Sequence, residues 1–213
     1  MRRSIYPLLI LLTAMVTGQL LVSAPSQSQG GSGQVTVTPT ADKLIAWSAA
    51  GGGVEESLEP GESVITSSAR GHTGFVQTSV RLLGFSAGLR QWREVRLGVE
   101  ERIERYQLLP FLILAHSNQE MRGFQESRGH WTSIALGPSE KVSQLRSYGH
   151  VAAAITNERT LGFSTYTGGF YDIDWSPNER VISVDGGQNA LVVHTSSRTL
   201  VLKSQSTGWT KVR

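Results

Sequence analysis

Hydrophobic and small residues along the chain recur at a spacing of 39 residues. One aromatic column consists of Trp92, Trp131, Phe170 and Trp209. A second column consists of Phe85, Phe124, Phe163 and Leu202, and a third of Gly84, Gly123, Gly162 and Val201. A more divergent copy precedes them, with Thr40, Lys43 and Trp47 one residue out of step. Columns of different chemical type that share one spacing indicate an internal structural repeat.

Each unit has the pattern of four short β-strands separated by turns. In the unit that begins at His150, strands are predicted at 150–156, 159–164, 170–175 and 179–185, with turn-forming residues between them. The first strand is apolar at consecutive positions, which is typical of a strand covered on both faces. The second places Leu161 and Phe163 on one face and Gly162 on the other, so that large and small faces of stacked sheets interdigitate. The last strand carries charges, such as Arg102 and Glu104, and is predicted at an outer edge.

A chain of four-stranded units of about 40 residues, with a buried innermost strand, resembles the β-propeller class. The resemblance covers residues 35–213 and concerns architecture alone. It implies an all-β, five-bladed β-propeller with units 35–71, 72–110, 111–149, 150–188 and 189–213. The alternative is an open stack of the same antiparallel units. The last unit ends after its third strand, so the sequence leaves open whether one blade has three strands or the ring closes imperfectly.

The N-terminal segment predicts export. Arg2 and Arg3 precede an apolar run from Tyr6 to Val22, so residues 1–24 are interpreted as a signal peptide, with a retained membrane anchor as the alternative. Residues 25–34 have the composition of a flexible linker. The expected location is extracytoplasmic: periplasmic, cell-surface or secreted. The chain has no cysteine, so its stability is expected to come from its core without disulfides.

Composition limits the class of partner. Charged residues make up 17% of the chain and the formal net charge is +3. Without Arg2 and Arg3, 18 basic residues face 17 acidic ones. No Lys/Arg-rich run is present to neutralise a row of phosphates, so no nucleic-acid partner is expected. Membrane contact is expected only through the N-terminal segment, if that segment is not cleaved.

Charged residues also follow the repeat. The acidic column is Glu62, Glu101, Glu140 and Glu179, and the basic one is Arg81, Arg159 and Arg198, with Lys43 in the first copy. In the remaining unit Glu120 breaks the basic column, although Arg122 follows it. In an up-and-down sheet these charges share one rim. Because a catalytic pair needs to occur only once, repetition favours a structural salt bridge in each blade. A Thr or Ser three residues before each basic position is expected to cap the adjoining turn.

The remaining candidates for chemistry are few. Gln77, His116 and His194 share a column with Ile155 near the end of the apolar strand, and are the candidate ligand-binding residues. The two histidines belong to non-adjacent units and no carboxylate column joins them, so no metal site or cofactor is predicted. Asp172 and Asp174 are the acids that a secreted hydrolase would use. No catalytic residue is assigned.

The turns are short, which leaves little material for a catalytic pocket while a ring of turns provides a binding face. The sequence therefore favours an exported, non-catalytic binding module for a protein or glycan partner. The alternatives are a secreted propeller hydrolase or lyase, and a structural protein of the cell envelope.

Overall fold

The computed structural model describes residues 34–49 and 51–212. The predicted signal peptide or anchor, and linker residues 25–33, lie outside these described residues. Apart from one 3-10 turn at Glu126–Arg128, the regular structure is entirely β. No helix within the described part of the chain is long and apolar enough to cross a membrane.

Within the described residues, nineteen strands form five antiparallel sheets in chain order. The first sheet contains β1 (Val35–Pro39), β2 (Lys43–Ser48) and β3 (Gly51–Ser57). The second contains β4 (Val64–Arg70), β5 (Thr73–Thr78), β6 (Arg81–Ser86) and β7 (Gln91–Arg96). The third contains β8 (Ile103–Leu109), β9 (Leu112–Ser117), β10 (Glu120–Gln125) and β11 (His130–Ala135). The fourth contains β12 (Val142–Tyr148), β13 (Val151–Thr156), β14 (Arg159–Ser164) and β15 (Phe170–Asp174). The fifth contains β16 (Val181–Gly187), β17 (Ala190–Thr195), β18 (Thr199–Lys203) and β19 (Trp209–Val212).

Each sheet is one blade, and the chain is an all-β, five-bladed β-propeller, as the sequence predicted. The predicted unit boundaries were wrong by one strand. The strand placed last in each unit, such as Ile103–Leu109, pairs with the strand that follows it and so opens the next blade. The apolar strand is therefore the second of its blade, between two partners, and not the innermost. The three-stranded blade is the first one, because no described strand precedes β1.

Hydroxyl caps fix the turns between the second and third strands of the blades. The Thr78 hydroxyl accepts hydrogen bonds from the backbone N–H groups of Val80 and Arg81, at 3.3 and 3.0 Å, and donates to the Arg81 carbonyl. Ser117, Thr156 and Thr195 repeat this arrangement. The predicted caps are thus confirmed, and they satisfy backbone groups that the tight turn leaves unpaired.

Neighbouring blades pack through four hydrophobic cores, one for each pair of consecutive blades. The glycine column makes close packing between the sheets possible. A Cβ added to Gly84 would lie 2.7 Å from the ring of Phe124 on the next blade, and one added to Gly162 would lie 2.5 Å from Leu202. Phe124 is fully buried as a result. Large residues of one blade thus fill the space that glycine leaves on the preceding blade.

The first and fifth blades are the two ends of this series. Over the described residues they share no hydrogen bond, ion pair or hydrophobic core. Trp47, which occupies the first blade's position in the buried phenylalanine column, is 50% exposed. Val201 takes the place of glycine in the fifth blade, and it belongs to none of the four cores among the described residues.

Candidate functional site

One rim of the propeller carries the repeated charges, which form four ion pairs. The pairs are Arg81–Glu62, Arg122–Glu101, Arg159–Glu140 and Arg198–Glu179, with N–O distances of 2.6 to 2.9 Å. Arg122 supplies the guanidinium in the blade where Glu120 interrupts the basic column. All four carboxylate side chains have at most 1% of their surface exposed.

Each pair fastens the linker between two blades. The Glu140 carboxylate accepts two hydrogen bonds from Arg159, both at 2.9 Å, and a third from the backbone N–H of Gly137 at 2.9 Å. The same guanidinium donates to the Ala135 carbonyl at the end of the preceding blade. Arg198 likewise bonds Glu179 and the Asp174 carbonyl. Both oxygens of the Glu140 carboxylate, like both oxygens of Glu179, are thus engaged by donors.

These contacts determine how the carboxyl groups titrate. Burial alone would raise the pKa of Glu179, but hydrogen bonds from Arg198 and Thr195 outweigh burial and lower that pKa to about 2. Burial also raises the pKa of Glu140, but hydrogen bonds from Arg159 outweigh burial, so the pKa of this carboxyl is lowered. Both groups therefore stay ionised at neutral pH.

The structure does not bring the candidate residues Gln77, His116 and His194 together, because each lies on the second strand of a different blade. His116 is buried, and its Nδ1 lies 3.6 Å from Glu104 without a hydrogen bond. Burial lowers the pKa of His116, against the opposing effect of Glu104. His194 is exposed on the fifth blade, and its Nδ1 lies 3.1 Å from the Thr199 hydroxyl.

The acids considered for hydrolysis are also dispersed. Asp172 forms an ion pair with Arg159 at 3.1 Å, and Asp174 lies two residues farther along an exposed strand. Among residues 34–49 and 51–212, no group of three or more His, Asp or Glu side chains is arranged to hold a metal ion.

The aromatic column on the last strand of each blade joins neighbouring blades. The indole N–H of Trp92 donates to the Val54 carbonyl, that of Trp131 to Arg93, and that of Trp209 to Tyr171, at 3.2, 3.0 and 2.9 Å. Each acceptor belongs to the last strand of the preceding blade. Phe170 has no such donor; at that interface the Thr132 hydroxyl donates to the Gly168 carbonyl.

The opposite rim carries a ladder of stacked rings across three blades. His72 stacks on Phe111 with ring centroids 5.4 Å apart, and Phe111 stacks on His150 at 4.8 Å. Tyr166 leans against His150 at 4.8 Å and is 47% exposed. These four residues are called the aromatic ladder below. Burial lowers the pKa of His150, so its ring is neutral at neutral pH, and its Nδ1 lies 3.1 Å from the Thr165 hydroxyl.

The repeat sets the ladder's spacing. Positions 72, 111 and 150 each follow the first residue of a two-residue turn between the first and second strands. Gly71 and Gly149 take a left-handed φ there, the conformation that type II′ hairpins give to glycine. The backbone N–H of His72 donates to the Pro110 carbonyl of the next blade at 3.1 Å, and His150 does the same to Gln188 at 2.8 Å. These bonds join the turn of the second blade to that of the third, and the turn of the fourth blade to that of the fifth. The turns of the third and fourth blades meet through the stacking of Phe111 on His150.

A groove of about 580 Å³ runs beside the ladder. Its lining consists of Arg70, Gln107, Leu108, Leu109, Pro110, Ser147 and Gly149. Arg70 is exposed, while the Ser147 hydroxyl donates to the Gln107 side chain at 2.5 Å. The Arg70 guanidinium donates to the Leu108 carbonyl at 3.4 Å and otherwise faces solvent, so this rim combines apolar rings, an exposed cation and polar groups.

No family model and no curated protein sequence matches the chain. Solved structures that share its fold are β-propeller proteins. Prp20p from Saccharomyces cerevisiae matches at 8% identity with a TM-score of 0.41, over 80% of this chain and 55% of that one. HIRA (residues 644–1017) matches at 13% and 0.40, over 81% and 52%. The N-terminal domain of Nup159 matches at 9% and 0.36, over 83% and 57%. This chain thus spans a little over half the length of these structures.

Sequence reasoning missed the ladder because the column His72, Phe111, His150 and Asn189 is chemically mixed. Its signal was positional: a glycine or proline precedes the first three of these residues in a tight turn.

Proposed function

We propose that this chain is an exported, non-catalytic binding module that holds a protein partner against the aromatic ladder and the adjoining groove. The observation that carries the proposal is the ladder, which places four rings on one rim across three blades. Rings that already stack on one another offer apolar contact area without ordering new side chains on binding. The engagement of the repeated carboxylates by arginine donors supports binding over catalysis.

The chemistry of the rim defines the partner segment. The exposed Arg70 guanidinium suits a carboxylate, and the exposed Tyr166 ring suits an aromatic or aliphatic side chain. The groove's volume lies in the range of sites that bury small ligands or short peptide segments. We therefore expect an extended acidic segment carrying an apolar side chain.

Two probes test whether the ladder and groove bind a protein segment: a displayed library of random short peptides and an array of immobilised glycans. Peptides selected on the purified protein should contain both an acidic and an apolar residue. Tyr166→Ser and Arg70→Ser should each weaken the selected peptides at least about tenfold, which corresponds to about 1.4 kcal/mol and is modest for an interface anchor.

Leu89→Ser is the matched control, because Leu89 is 44% exposed in the turn between β6 and β7, at the same end of the second blade as His72 but outside the ladder. It should leave affinity within about twofold. Binding of glycans without peptides, or peptide binding indifferent to Tyr166 and Arg70, would contradict the proposal.

Export is tested separately. The full chain and a chain that lacks residues 2–24 are expressed in a bacterial host and the cells are fractionated. The full chain should be recovered outside the cytoplasm, with an N-terminus near Pro25 if the segment is cleaved and with Met1 or Arg2 if it is retained as an anchor. Equal cytoplasmic recovery of both chains would refute export.

A further inference from the structure

The outward face of the first blade is not covered by any other strand of the described residues, and it presents Ile45 and Trp47 among polar side chains. It consists of Thr36 and Thr38 on β1, Lys43, Ile45 and Trp47 on β2, and Gly53 and Glu55 on β3, and is called the first-blade face below. The opposite side of the same sheet, with Leu44 and Ala46, is fully buried against the second blade. In the second to fourth blades, the face that corresponds to Ile45 and Trp47 is buried against the preceding blade.

The first-blade face differs from its internal counterparts in shape. In the second and third blades, a phenylalanine pairs with a tryptophan on the last strand, as in Phe85–Trp92, and enters the space that glycine or alanine leaves on the preceding blade. In the first blade, Gly53 stands in the tryptophan column. A Cβ on Gly53 would lie 3.1 Å from the Trp47 ring, so this indole lies against its own sheet. The face is therefore flat and needs no glycine-lined slot in a partner.

The fifth blade of the same chain does not offer a matching surface. Val201 fills the place where internal blades have glycine, and exposed His194 and Lys203 lie on the same side of that sheet. Trp47 therefore cannot pack against this face as Phe85 packs against Ala46, because Val201 occupies the space. A head-to-tail contact in the register of the internal blades is disfavoured for the same reason.

The charges of the first-blade face complement those of a second copy. Lys43 and Glu55 form an exposed ion pair at 2.9 Å on this face. A two-fold rotation brings the lysine of one copy toward the glutamate of the other, and it brings the two indoles together. One surface that carries both signs of charge and a flat apolar centre is self-complementary, as an isologous interface requires.

We propose that two copies of this chain pack through their first-blade faces in a two-fold symmetric dimer. A three-stranded sheet six residues long covers about 14 by 20 Å, which is smaller than a standard interface of about 800 Å² per partner. The dimer is accordingly weak and concentration-dependent. This interface is separate from the aromatic ladder.

The absence of cysteine makes a direct test possible. The protein is expressed as the full chain and purified as the cell processes it, with Thr36→Cys as the only thiol, and is treated with a short bismaleimide. Thr36 pairs with Trp47 across the strands, so its thiol lies on the first-blade face. We expect Thr36→Cys to give a covalent dimer. In the double variant Thr36→Cys/Trp47→Lys, the yield of this dimer should fall at least about tenfold.

Ile182→Cys is the control, since Ile182 is 71% exposed on the fifth blade and should give modified monomer only. A monomeric Thr36→Cys product would overturn the proposal. The double variant Thr36→Cys/Lys203→Cys gives two further outcomes that would overturn the proposal. An internal cross-link would mean that the first and fifth blades of one chain meet. A series of higher oligomers would mean that copies assemble head to tail. Sedimentation velocity should show a dimer that forms with rising concentration, and Trp47→Lys should remain monomeric with an unchanged far-UV circular dichroism spectrum.

Discussion

Substitution of Gly84 by alanine tests the packing principle on which the blades depend. The added Cβ would lie 2.7 Å from two ring atoms of Phe124 and 2.9 Å from a third. Phe124 is fully buried, and Trp131 lies behind it with ring centroids 5.1 Å apart. The phenylalanine ring therefore cannot withdraw without displacing a second ring that is itself hydrogen-bonded to the preceding blade.

The expected loss follows from two opposing effects. Overpacking of a buried site costs about 1–3 kcal/mol, and three contacts below 3.0 Å place Gly84→Ala in the upper half of that range. Alanine also reduces the freedom of the unfolded chain, which stabilises the fold by about 0.4–1 kcal/mol. The net loss is about 1–2.6 kcal/mol, or about 2–10 °C in melting temperature for a domain of this size.

Urea and thermal unfolding, followed by circular dichroism, measure the loss. Gly187→Ala is the matched control, because no atom lies within 4 Å of its added Cβ. That variant should be as stable as the parent or slightly more so. At the junction of the fourth and fifth blades, Leu202 occupies the position opposite Gly162 that Phe124 occupies opposite Gly84. Phe124→Leu should therefore partly restore the stability of Gly84→Ala, with a coupling free energy between the two substitutions of about 1 kcal/mol or more. Equal stability of the two alanine variants, or strict additivity with Phe124→Leu, would refute the reasoning.

Two further predictions concern the links between blades. The pKa of Glu179 is about 2 in the folded chain against an ordinary value of 4.5, so the stability from its ion pair is fully present above about pH 4.5 and is lost as pH falls toward 2. Glu179→Gln should be less stable than the parent at pH 7 but should show a shallower decline in urea midpoint between pH 5 and pH 3; parallel curves would contradict this. Trp131→Phe removes the indole donor to the Arg93 carbonyl and should cost about 1 kcal/mol in urea unfolding, whereas no change would show that water replaces the bond.

The sequence was sufficient to predict the repeat, because packing between identical sheets imposes identical columns. Gly84 and Phe124 belong to two columns that pack against each other between blades, and the 39-residue spacing of these columns predicted the repeating unit. The repeated ion pairs could also be predicted from the sequence, except in the third blade, where Arg122 pairs with Glu101 although Glu120 stands in the basic column. Here the guanidinium reaches Glu101 from a position two residues farther along, which column alignment does not anticipate.

Blade boundaries were harder to predict, because an edge strand has the same polar pattern at either edge of a sheet. Ile103–Leu109 could pair with the strand before it or the strand after it. The connections decide between the two: only Pro110 and Phe111 separate this strand from the next, whereas residues 97–102 separate it from the previous one. A two-residue connection forces antiparallel pairing. Turn length, had it been weighed above charge, would have given the observed sheets.

The two rims show where to look for function in a chain of repeats. On one rim the same ion pair recurs at each junction between described blades, and its donors and acceptors bond one another. On the other rim the residues at the equivalent turns differ from blade to blade, and Tyr166 comes from a different turn altogether. A feature needed for packing must repeat, because every interface is alike, whereas a ligand meets the rim at one place only. The ladder and Arg70 belong to the second kind, and this asymmetry locates the proposed binding site more firmly than the histidines that share a column.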